Sequence, residues 1–260
     1  MLDKPRKKQE QMNNVETKVY PNKQVSVSFM IAGIVFCICL VASNLLETKV
    51  FRAWGSITLT CGFLVFPISY ILNDVIAEVW GYRKARLIIW LGFLMNFFVV
   101  GLGGIACALP AAVEGSDDAF KQVFAFAPQV AVASLLAFIV GSFLNALVMS
   151  KMKMADRHKG KFEFHFSIRA VLSTLVGESA DSLIFFPLAF YALPYLFMGE
   201  PQLPLPIMFE LMITQVVAKT LYEIIVLPIT IQVVKFVKRF DRTDVYDENI
   251  SYNAFKISEI

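Results

Sequence analysis

The sequence predicts an all-α membrane protein with six transmembrane helices. It is 57% hydrophobic and only 17% charged, whereas soluble domains carry about 25% charged residues. Its mean hydropathy is +0.62. Six apolar segments approach or exceed the roughly 20 residues that cross a hydrocarbon core of about 30 Å. In chain order, segments 1 to 6 are residues 26–46, 57–79, 85–109, 124–149, 168–197 and 204–236.

The regions around these segments are short and polar. The expected domains are a disordered cytoplasmic tail at 1–24, the six-helix transmembrane domain at 25–238 and a second cytoplasmic tail at 239–260. Segment 1 is too long for a removable signal peptide, and no small-residue cleavage site follows it. Pro187, Pro194 and Pro228 predict kinks or breaks in segments 5 and 6. A short acidic loop is expected at 110–122.

The distribution of lysine and arginine predicts the orientation. Most of the 24 basic residues lie before segment 1, between segments 2 and 3, between segments 4 and 5, and after segment 6. The exceptions are Lys49, Arg52, Lys121 and Lys219. Because cytoplasmic loops are the basic ones, both termini are expected in the cytoplasm of a multi-pass protein of the bacterial inner membrane. The same rule explains the pI of about 8.6, so no nucleic-acid partner is expected.

Cysteine and histidine suggest neither a metal site nor a catalytic site. The cysteines lie in or beside apolar segments without metal-ligand spacing, so they are interpreted as small core residues. His158 and His165 lie in the basic loop between segments 4 and 5, where a solvated position is expected. The sequence therefore predicts no cofactor and no enzymatic activity.

Six ionisable residues interrupt the apolar segments. They are Asp74 and Glu78 in segment 2, Glu178 and Asp181 in segment 5, and Lys219 and Glu223 in segment 6. A charged group near the bilayer centre costs at least about 2.5–3.5 kcal/mol, and such groups mark polar sites or pathways. Each pair is spaced three or four residues apart, which places its members on one helical face. These residues predict a polar site inside the membrane domain.

Counting 1.5 Å per helical residue estimates the depth of each group. Glu178, Asp181 and Lys219 fall close to the middle of the membrane, Asp74 falls in the cytoplasmic half, and Glu78 lies near the cytoplasmic boundary. Asparagine, glutamine, serine and threonine side chains on the same segments could complete the hydrogen bonding. The sequence thus predicts one layer that contains Glu178, Asp181, Lys219 and, at its lower edge, Asp74.

Two simpler interpretations remain open. Glu78 could pair with Arg83 and Arg86 at the membrane surface rather than belong to a site. Lys219 could form a structural ion pair with Glu178 or Asp181 that only fixes the register of two helices. The buried carboxyl groups outnumber the one buried lysine, which favours a site that is protonated, hydrated or offered to a ligand.

The polar residues also suggest a three-plus-three inverted repeat. Asn44 in segment 1 would correspond to Asn145 in segment 4, and the acidic pair of segment 2 to that of segment 5. Inverted repeats of this kind commonly place a substrate site between their halves at mid-membrane.

Three stretches carry a family resemblance. They are SN…ETK at 43–49, FPISYILNDVIAEVWGYRKAR at 66–86 and R…ST..GESADSLIF at 169–185. Over about residues 26–238 the chain resembles the queuosine precursor transporter family, also called the vitamin uptake transporter family. The resemblance implies uptake of 7-deazaguanine bases, namely 7-cyano-7-deazaguanine and 7-aminomethyl-7-deazaguanine, by a secondary transporter.

The guanine-like edge of these bases suggests roles for the buried residues. Glu178 or Asp181 could accept from the N1–H and the exocyclic amine together, and Lys219 with Asn145 or Asn73 would complete the pocket. Asp74 would line the pocket, carry a coupling proton or gate the cytoplasmic side. Supporting or gating positions are assigned to Glu78, Ser182, Asn44, Glu223 and Tyr222.

Other functions were weighed. The chain could be the substrate-binding subunit of an ATP-driven vitamin uptake system, with a partner supplying the ATPase, because it has no Walker motif of its own. An intramembrane aspartyl protease is disfavoured because the G-x-G-D signature is missing, and a structural scaffold is a third alternative. A proton or sodium ion as the coupling ion, and a homodimer, are left open, with the lipid bilayer as the surrounding partner.

Overall fold

The architecture is that of a helical bundle with one small β-hairpin. The computed structural model describes residues 25–47, 49–53, 57–112, 115–124, 127–156, 162–201, 203–248 and 250–256. The predicted tail at 1–24 and the histidine at 158 lie outside the described residues. The helices are α1 Val27–Leu46, α2 Phe66–Trp80, α3 Tyr82–Ala108, α4 Ser116–Phe124, α5 Ala127–Ala155, α6 Phe162–Pro187, α7 Leu193–Met198 and α8 Leu205–Asp241.

Five of these helical stretches are long and apolar enough to cross a membrane. They are Val27–Leu46, Tyr82–Ala108, Val132–Ala155, Phe162–Leu196 and Leu205–Asp241. Large apolar side chains on them point outward, such as Ile225 and Leu196, whose exposed fractions are 75% and 74%. Four charged residues in the interior of these helices, Glu178, Asp181, Lys219 and Glu223, are buried, which is the arrangement expected in lipid. These features confirm an all-α, multi-pass membrane protein.

Segment 2 differs from its prediction as a continuous helix over 57–79. Strands β1 Val50–Ala53 and β2 Ile57–Thr60 form an antiparallel hairpin, in which Val50 pairs with Thr60 and Ala53 with Ile57. A 3-10 turn, Cys61–Leu64, then leads into α2, whose 15 residues are too short to cross a hydrocarbon core alone. The β-branched residues around Thr58 favour a strand, and the hairpin ladder satisfies their backbone groups. Apolar composition alone had suggested a helix.

Three hydrogen-bonded groups show which helix ends lie together. Ser28 Oγ donates to Asp241 Oδ1 at 2.7 Å, and Trp80 Nε1 donates to Asp241 Oδ2 at 3.2 Å. The start of α1 and the ends of α2 and α8 therefore share one end of the bundle, here named the basic end. The hairpin, the 3-10 turn and α2 together return the chain to this end and are named the broken pass, while six membrane crossings stay a prediction. The cytoplasmic location of the basic end and the inverted repeat stay predictions.

The other segments follow their predictions with shifted bounds. The α-helix of segment 5 is interrupted where a break was expected, since α6 ends at Pro187 and a π-helical turn, Leu188–Ala192, connects it to α7. Pro228 lies inside α8, which continues unbroken to Asp241. The acidic loop expected at 110–122 contains α4, whose first turn is acidic and whose Lys121 pairs with Asp117 at 2.9 Å.

Helices α5 and α6 pack backbone against backbone at two glycines. A Cβ built on Gly141 would lie 2.8 Å from the carbonyl oxygen of Gly177, and one built on Gly177 would lie 2.9 Å from the carbonyl oxygen of Gly141. Small residues permit this close approach of membrane helices. Gly177 directly precedes Glu178, so this contact fixes where the acidic pair of α6 enters the bundle.

The region after α8 packs against the basic end, although the sequence suggested a polar tail. Asp247 accepts from the backbone N–H of Tyr82 at 2.9 Å. The guanidinium of Arg86 donates to the carbonyl oxygens of Ser251 and Asn253 at 3.1 and 2.8 Å. The described residues of 243–256 are named the C-terminal strap. They cover the ends of α2, α3 and α5.

Candidate functional site

A buried ion pair joins α6 to α8 inside the bundle. The Nζ atom of Lys219 lies 3.0 Å from Glu178 Oε2, and the two side chains are 7% and 0% exposed. The same ammonium lies 3.9 Å from the ring centroid of Phe66, which adds a cation–π contact. The structure therefore brings together two of the residues that helix depth had placed in one layer.

A small cavity opens beside this ion pair. Its walls are Asn44, Glu47, Phe66, Ser134, Asp181, Phe185, Phe186 and Lys219. The cavity measures about 10 Å³, which has room for about one water molecule. A ligand the size of a heterocyclic base would therefore require the walls to move apart. The predicted residues Asp181, Lys219 and Asn44 line this cavity.

Carboxyl groups outnumber cations around the cavity. Lys219 experiences the charges of Glu178, Asp181 and Glu47. Glu178 faces the lysine directly, whereas Asp181 and Glu47 form part of the cavity wall. The arrangement offers hydrogen-bond acceptors from two carboxyl groups, donors from one ammonium group, and aromatic rings. Such a set can hold a flat, neutral molecule that has adjacent donors on one edge.

Glu47 was not among the predicted site residues, because it follows segment 1, where a solvated loop and part of an entrance were equally compatible with the sequence. It caps the C-terminal end of α1, where its backbone N–H donates to the carbonyl oxygen of Ser43 at 2.8 Å. Gly62 makes room for its side chain, since a Cβ there would overlap the Glu47 carboxylate. Glu47 does lie within the SN…ETK stretch, so its signal was present in the sequence.

The hairpin is anchored to α8 beside the cavity. Gln215 Nε2 donates to Thr60 Oγ1 at 2.7 Å, and both residues are buried. On the neighbouring wall, Ser134 Oγ donates to Asn44 Oδ1 and so joins α5 to α1. The broken pass thus supplies one side of the cavity. In other membrane proteins, too, irregular backbone at membrane depth occurs where it lines a polar site.

A second polar cluster lies next to the ion pair. Asp74 accepts from Ser173 Oγ at 3.2 Å and is hydrogen-bonded to Glu223. Asn73 Nδ2 donates to Asn145 Oδ1 at 2.9 Å. The predicted residues Asn73, Asn145 and Asp74 belong to this cluster and do not line the cavity. Glu223 lies one helical turn from Lys219 on α8 but contacts Asp74.

Glu78 lies in a cationic cluster at the basic end. Its carboxylate is 2.9 Å from Arg169 Nη2, 2.7 Å from Lys238 Nζ and 3.8 Å from Lys153 Nζ. The alternative pairing with nearby arginines of α3 is not what the structure shows, since the buried guanidinium of Arg86 bonds to the C-terminal strap. Glu78 therefore joins α2 to α5, α6 and α8, and it closes the bundle at this end.

The C-terminal strap completes this closure. Lys153 Nζ donates to Asp244 Oδ1 and to the carbonyl oxygen of Val245, both at 2.6 Å, and Lys238 lies 3.0 Å from Asp244. Partial burial acts to raise the pKa of Asp244, but the hydrogen bonds and charges of Lys153 and Lys238 outweigh it and hold that pKa below its ordinary value.

The remaining predicted residues have supporting positions. Ser182 is buried on α6 and does not line the cavity, and Tyr222 packs edge-on against Phe63 with ring centroids 6.1 Å apart. His165 lies 3.7 Å from Asp156. Among the described residues, the four cysteines are free thiols, and nowhere do three or more histidine, cysteine or acidic side chains gather as metal ligands.

Comparisons with known proteins place the chain in a family. The family described as "Putative vitamin uptake transporter" matches residues 60–233. A "Probable queuosine precursor transporter" of Bacillus subtilis (strain 168) is 32% identical over 155 residues, which are 58% of this chain and 64% of that protein. A "Probable queuosine precursor transporter" of Haemophilus influenzae is 26% identical over 149 residues, 54% of this chain and 56% of that protein.

The "Queuosine precursor transporter" of Escherichia coli (strain K12) is 25% identical over 141 residues, 54% of this chain and 59% of that protein. The chain spans about three-fifths of the length of these curated relatives. No solved structure matches it significantly. The family match runs from the end of β2 into α8 and includes both buried acidic pairs. The chain therefore belongs to the vitamin uptake transporter family, whose curated relatives carry the name queuosine precursor transporter.

Proposed function

We propose that this protein is a secondary transporter of the bacterial inner membrane that imports queuosine precursors. The substrates would be 7-cyano-7-deazaguanine, 7-aminomethyl-7-deazaguanine or both. The names of the curated relatives support a queuosine precursor as the cargo. The observation that carries the proposal is the cavity in which Asp181, Glu47, Lys219 and aromatic rings face one another inside the membrane domain.

The cavity chemistry matches the edge of a 7-deazaguanine. In this proposal Asp181 accepts from the N1–H and the exocyclic amine together, since a carboxylate can accept two parallel hydrogen bonds. Lys219 donates to the carbonyl oxygen of the base. Asp181 is the preferred partner because it lines the cavity, whereas Glu178 faces Lys219 from behind the cavity wall. The rings of Phe66, Phe185 and Phe186 would stack on the base for about 1–3 kcal/mol.

Transport requires the closed cavity to open alternately to the two sides. At the basic end, Glu78 and its cationic partners close the bundle, and the C-terminal strap covers them. On the other side of the cavity lie the hairpin, held by Gln215, and the π-helical turn that follows α6. Breaks of this kind permit parts of a helix to move as separate pieces. We infer that the hairpin side forms the outer entrance and the Glu78 cluster the inner one.

A binding measurement on the purified protein tests the assignment of Asp181. Asp181→Asn retains the shape of the side chain but replaces one acceptor oxygen by a donor. We expect the affinity for 7-cyano-7-deazaguanine to fall about 100-fold, which corresponds to about 2.7 kcal/mol and is the scale of one lost charged hydrogen bond.

The matched control is Asp117→Asn, which removes an exposed carboxylate on α4 that pairs with Lys121. This variant should bind like the wild type. Equal binding by Asp181→Asn and the wild type would contradict the role of Asp181. Uptake by liposomes that contain this protein alone separates a secondary transporter from the binding subunit of an ATP-driven system, because only the former works without a partner.

A further inference from the structure

We infer that Asp74 and Glu223 form a proton-binding site, separate from the substrate cavity, that couples import to the proton gradient. This inference rests on the proposed transport function and adds its energy source. The sequence left substrate-binding, proton-carrying and gating roles open for Asp74 and assigned Glu223 a supporting or gating role.

The two carboxyl groups meet inside the bundle between α2 and α8. Asp74 is 0% and Glu223 is 2% exposed, and their side chains are hydrogen-bonded to each other. Ser173 Oγ donates to Asp74 Oδ1 at 3.2 Å. Asn145 Nδ2 donates to Thr174 Oγ1 at 3.3 Å, and these two residues lie beside the carboxyl groups of the pair. The second oxygen of Glu223, Oε2, is buried and has no hydrogen-bond partner among the described residues. The contact thus keeps one acceptor position open in an otherwise satisfied polar cluster.

A hydrogen bond between two carboxyl groups needs a proton, because a carboxylate only accepts. Two like charges in contact away from water also strongly disfavour double ionisation. The donors around the pair are uncharged hydroxyl and amide groups from α5 and α6. The geometry therefore defines a site that holds one proton between two acidic residues.

Among the residues that the structure describes, the charged and titratable groups that face the pair supply no unpaired cation. On α8, Lys219 lies one turn away, but its ammonium is bonded to Glu178 of α6. On α6, Glu178 and Asp181 are acidic, and on α2 Tyr70 is buried. One turn further along α2, Glu78 binds Arg169, Lys153 and Lys238, so these cations are already paired. A proton is the counter-charge that remains.

A sodium ion is the competing ligand, and the donor set disfavours it. Hard cations such as Ca²⁺ take six or more oxygen ligands, so a bound ion would sit between the two carboxyl groups. The carboxyl groups of Asp74 and Glu223 instead bond to each other, as a shared proton requires. We therefore commit to a proton and treat sodium as an outcome of the test.

The position of the pair connects it to the substrate cavity. Glu223 and Lys219 follow one another on the same face of α8, and Lys219 lines the cavity. When the proton leaves, the pair carries a second negative charge one turn from the Lys219 ammonium. This charge would compete with Glu178 for the ammonium. In the proposed cycle the pair takes up a proton from outside, the loaded protein opens inward, and the proton leaves to the cytoplasm with the substrate. One positive charge then enters with each neutral base.

Proteoliposomes of the full chain with labelled 7-cyano-7-deazaguanine separate coupling from transport. Exchange of label against internal unlabelled base, at equal pH on both sides, reports binding and movement. Accumulation under an imposed gradient, acid outside, reports coupling. We expect Glu223→Gln to exchange within about threefold of the wild type. Under every imposed pH gradient, the ratio of labelled base inside to outside should stay near one for this variant. Addition of substrate should no longer make the outside medium more alkaline.

Asp74→Asn is measured in parallel and should show the same separation, so that poor folding of one variant leaves the other as the test. The inference would be overturned if the variants accumulated the base to the same level as the wild type. It would also be overturned if the variants lost exchange and accumulation to the same extent, because that result would place the pair in the substrate site. Wild-type accumulation driven by a sodium gradient at equal pH would overturn it as well. If the wild type neither exchanges nor accumulates the base, the proposed function fails, and that outcome is distinct from the others.

Discussion

Replacing Lys219 by methionine tests the charge arrangement at the centre of the protein. The substitution keeps an unbranched chain of similar length but removes the ammonium that faces Glu178, Asp181 and Glu47. Breaking a buried ion pair from one side costs about 3–5 kcal/mol, because the other charge is left without compensation. At about 2–4 °C per kcal/mol for a chain of this size, we expect the Tm to fall by roughly 10 °C.

Glu178→Gln should be milder, although it breaks the same pair. Lys219 keeps two other carboxyl groups near it, so only one charged contact is lost, for about 1–3 kcal/mol. We expect a fall in Tm of about 5 °C. The double variant, Lys219→Met with Glu178→Gln, should lose less free energy of unfolding than the two single variants together. The reason is that each substitution removes the partner that the other leaves unpaired. The assay is thermal unfolding of the purified protein in detergent.

An exposed ion pair supplies the control. Lys121 and Asp117 lie 2.9 Å apart, as close as the buried pair, but their side chains are 47% and 33% exposed. Water screens the attraction within exposed pairs of this kind, so Lys121→Met should leave the Tm nearly unchanged. Equal destabilisation by Lys219→Met and Glu178→Gln would refute the reasoning, because it would mean that Lys219 serves Glu178 alone.

Three further predictions concern packing and the C-terminal strap. Gly141→Ala should destabilise the protein by about 1–3 kcal/mol, since its Cβ would lie 2.8 Å from a carbonyl oxygen of α6. The control is Gly101→Ala, because nothing lies within 4 Å of a Cβ at Gly101. This variant should be neutral or stabilising in the same unfolding assay. Asp247→Ala leaves the backbone N–H of Tyr82 without its acceptor, so amide hydrogen exchange in 243–256 should become faster while exchange in the core of α6 stays unchanged. Because the folded pKa of Asp244 is depressed, the stability that Asp244 gives to strap docking is present above the ordinary pKa of 3.8 and is lost as the pH falls through the lower folded value. Asp244→Asn should therefore accelerate amide exchange in the strap at pH 7 and leave it unchanged below the folded pKa. Unchanged exchange at both pH values would contradict this assignment.

Helix depth placed Glu178, Asp181 and Lys219 in one layer near mid-membrane, because depth depends only on residue count. It left open which of the two carboxylates pairs with the ammonium, and the structure shows the pair with Glu178. The same reasoning placed Glu223 on the face of Lys219. It could not show that Glu223 bonds to Asp74, because that contact depends on the rotation of α2 against α8.

The broken pass could not be predicted from apolar composition. Residues 57–79 are hydrophobic enough for a helix, and a strand followed by a short helix has nearly the same composition. The place of Glu47 at the cavity depends on this break, since the 3-10 turn brings Gly62 against it. The partners of Glu78 were also unpredictable, because nearby arginines in sequence compete with cations from three other helices and tertiary packing decides.

Uptake of labelled 7-cyano-7-deazaguanine by liposomes that contain only this protein is the most direct test of the central claim. We predict saturable uptake by the wild type, loss of uptake in Asp181→Asn, and normal uptake in the Asp117→Asn control. No uptake by the folded wild type, or equal uptake by Asp181→Asn, would contradict transport through the cavity between Asp181 and Lys219.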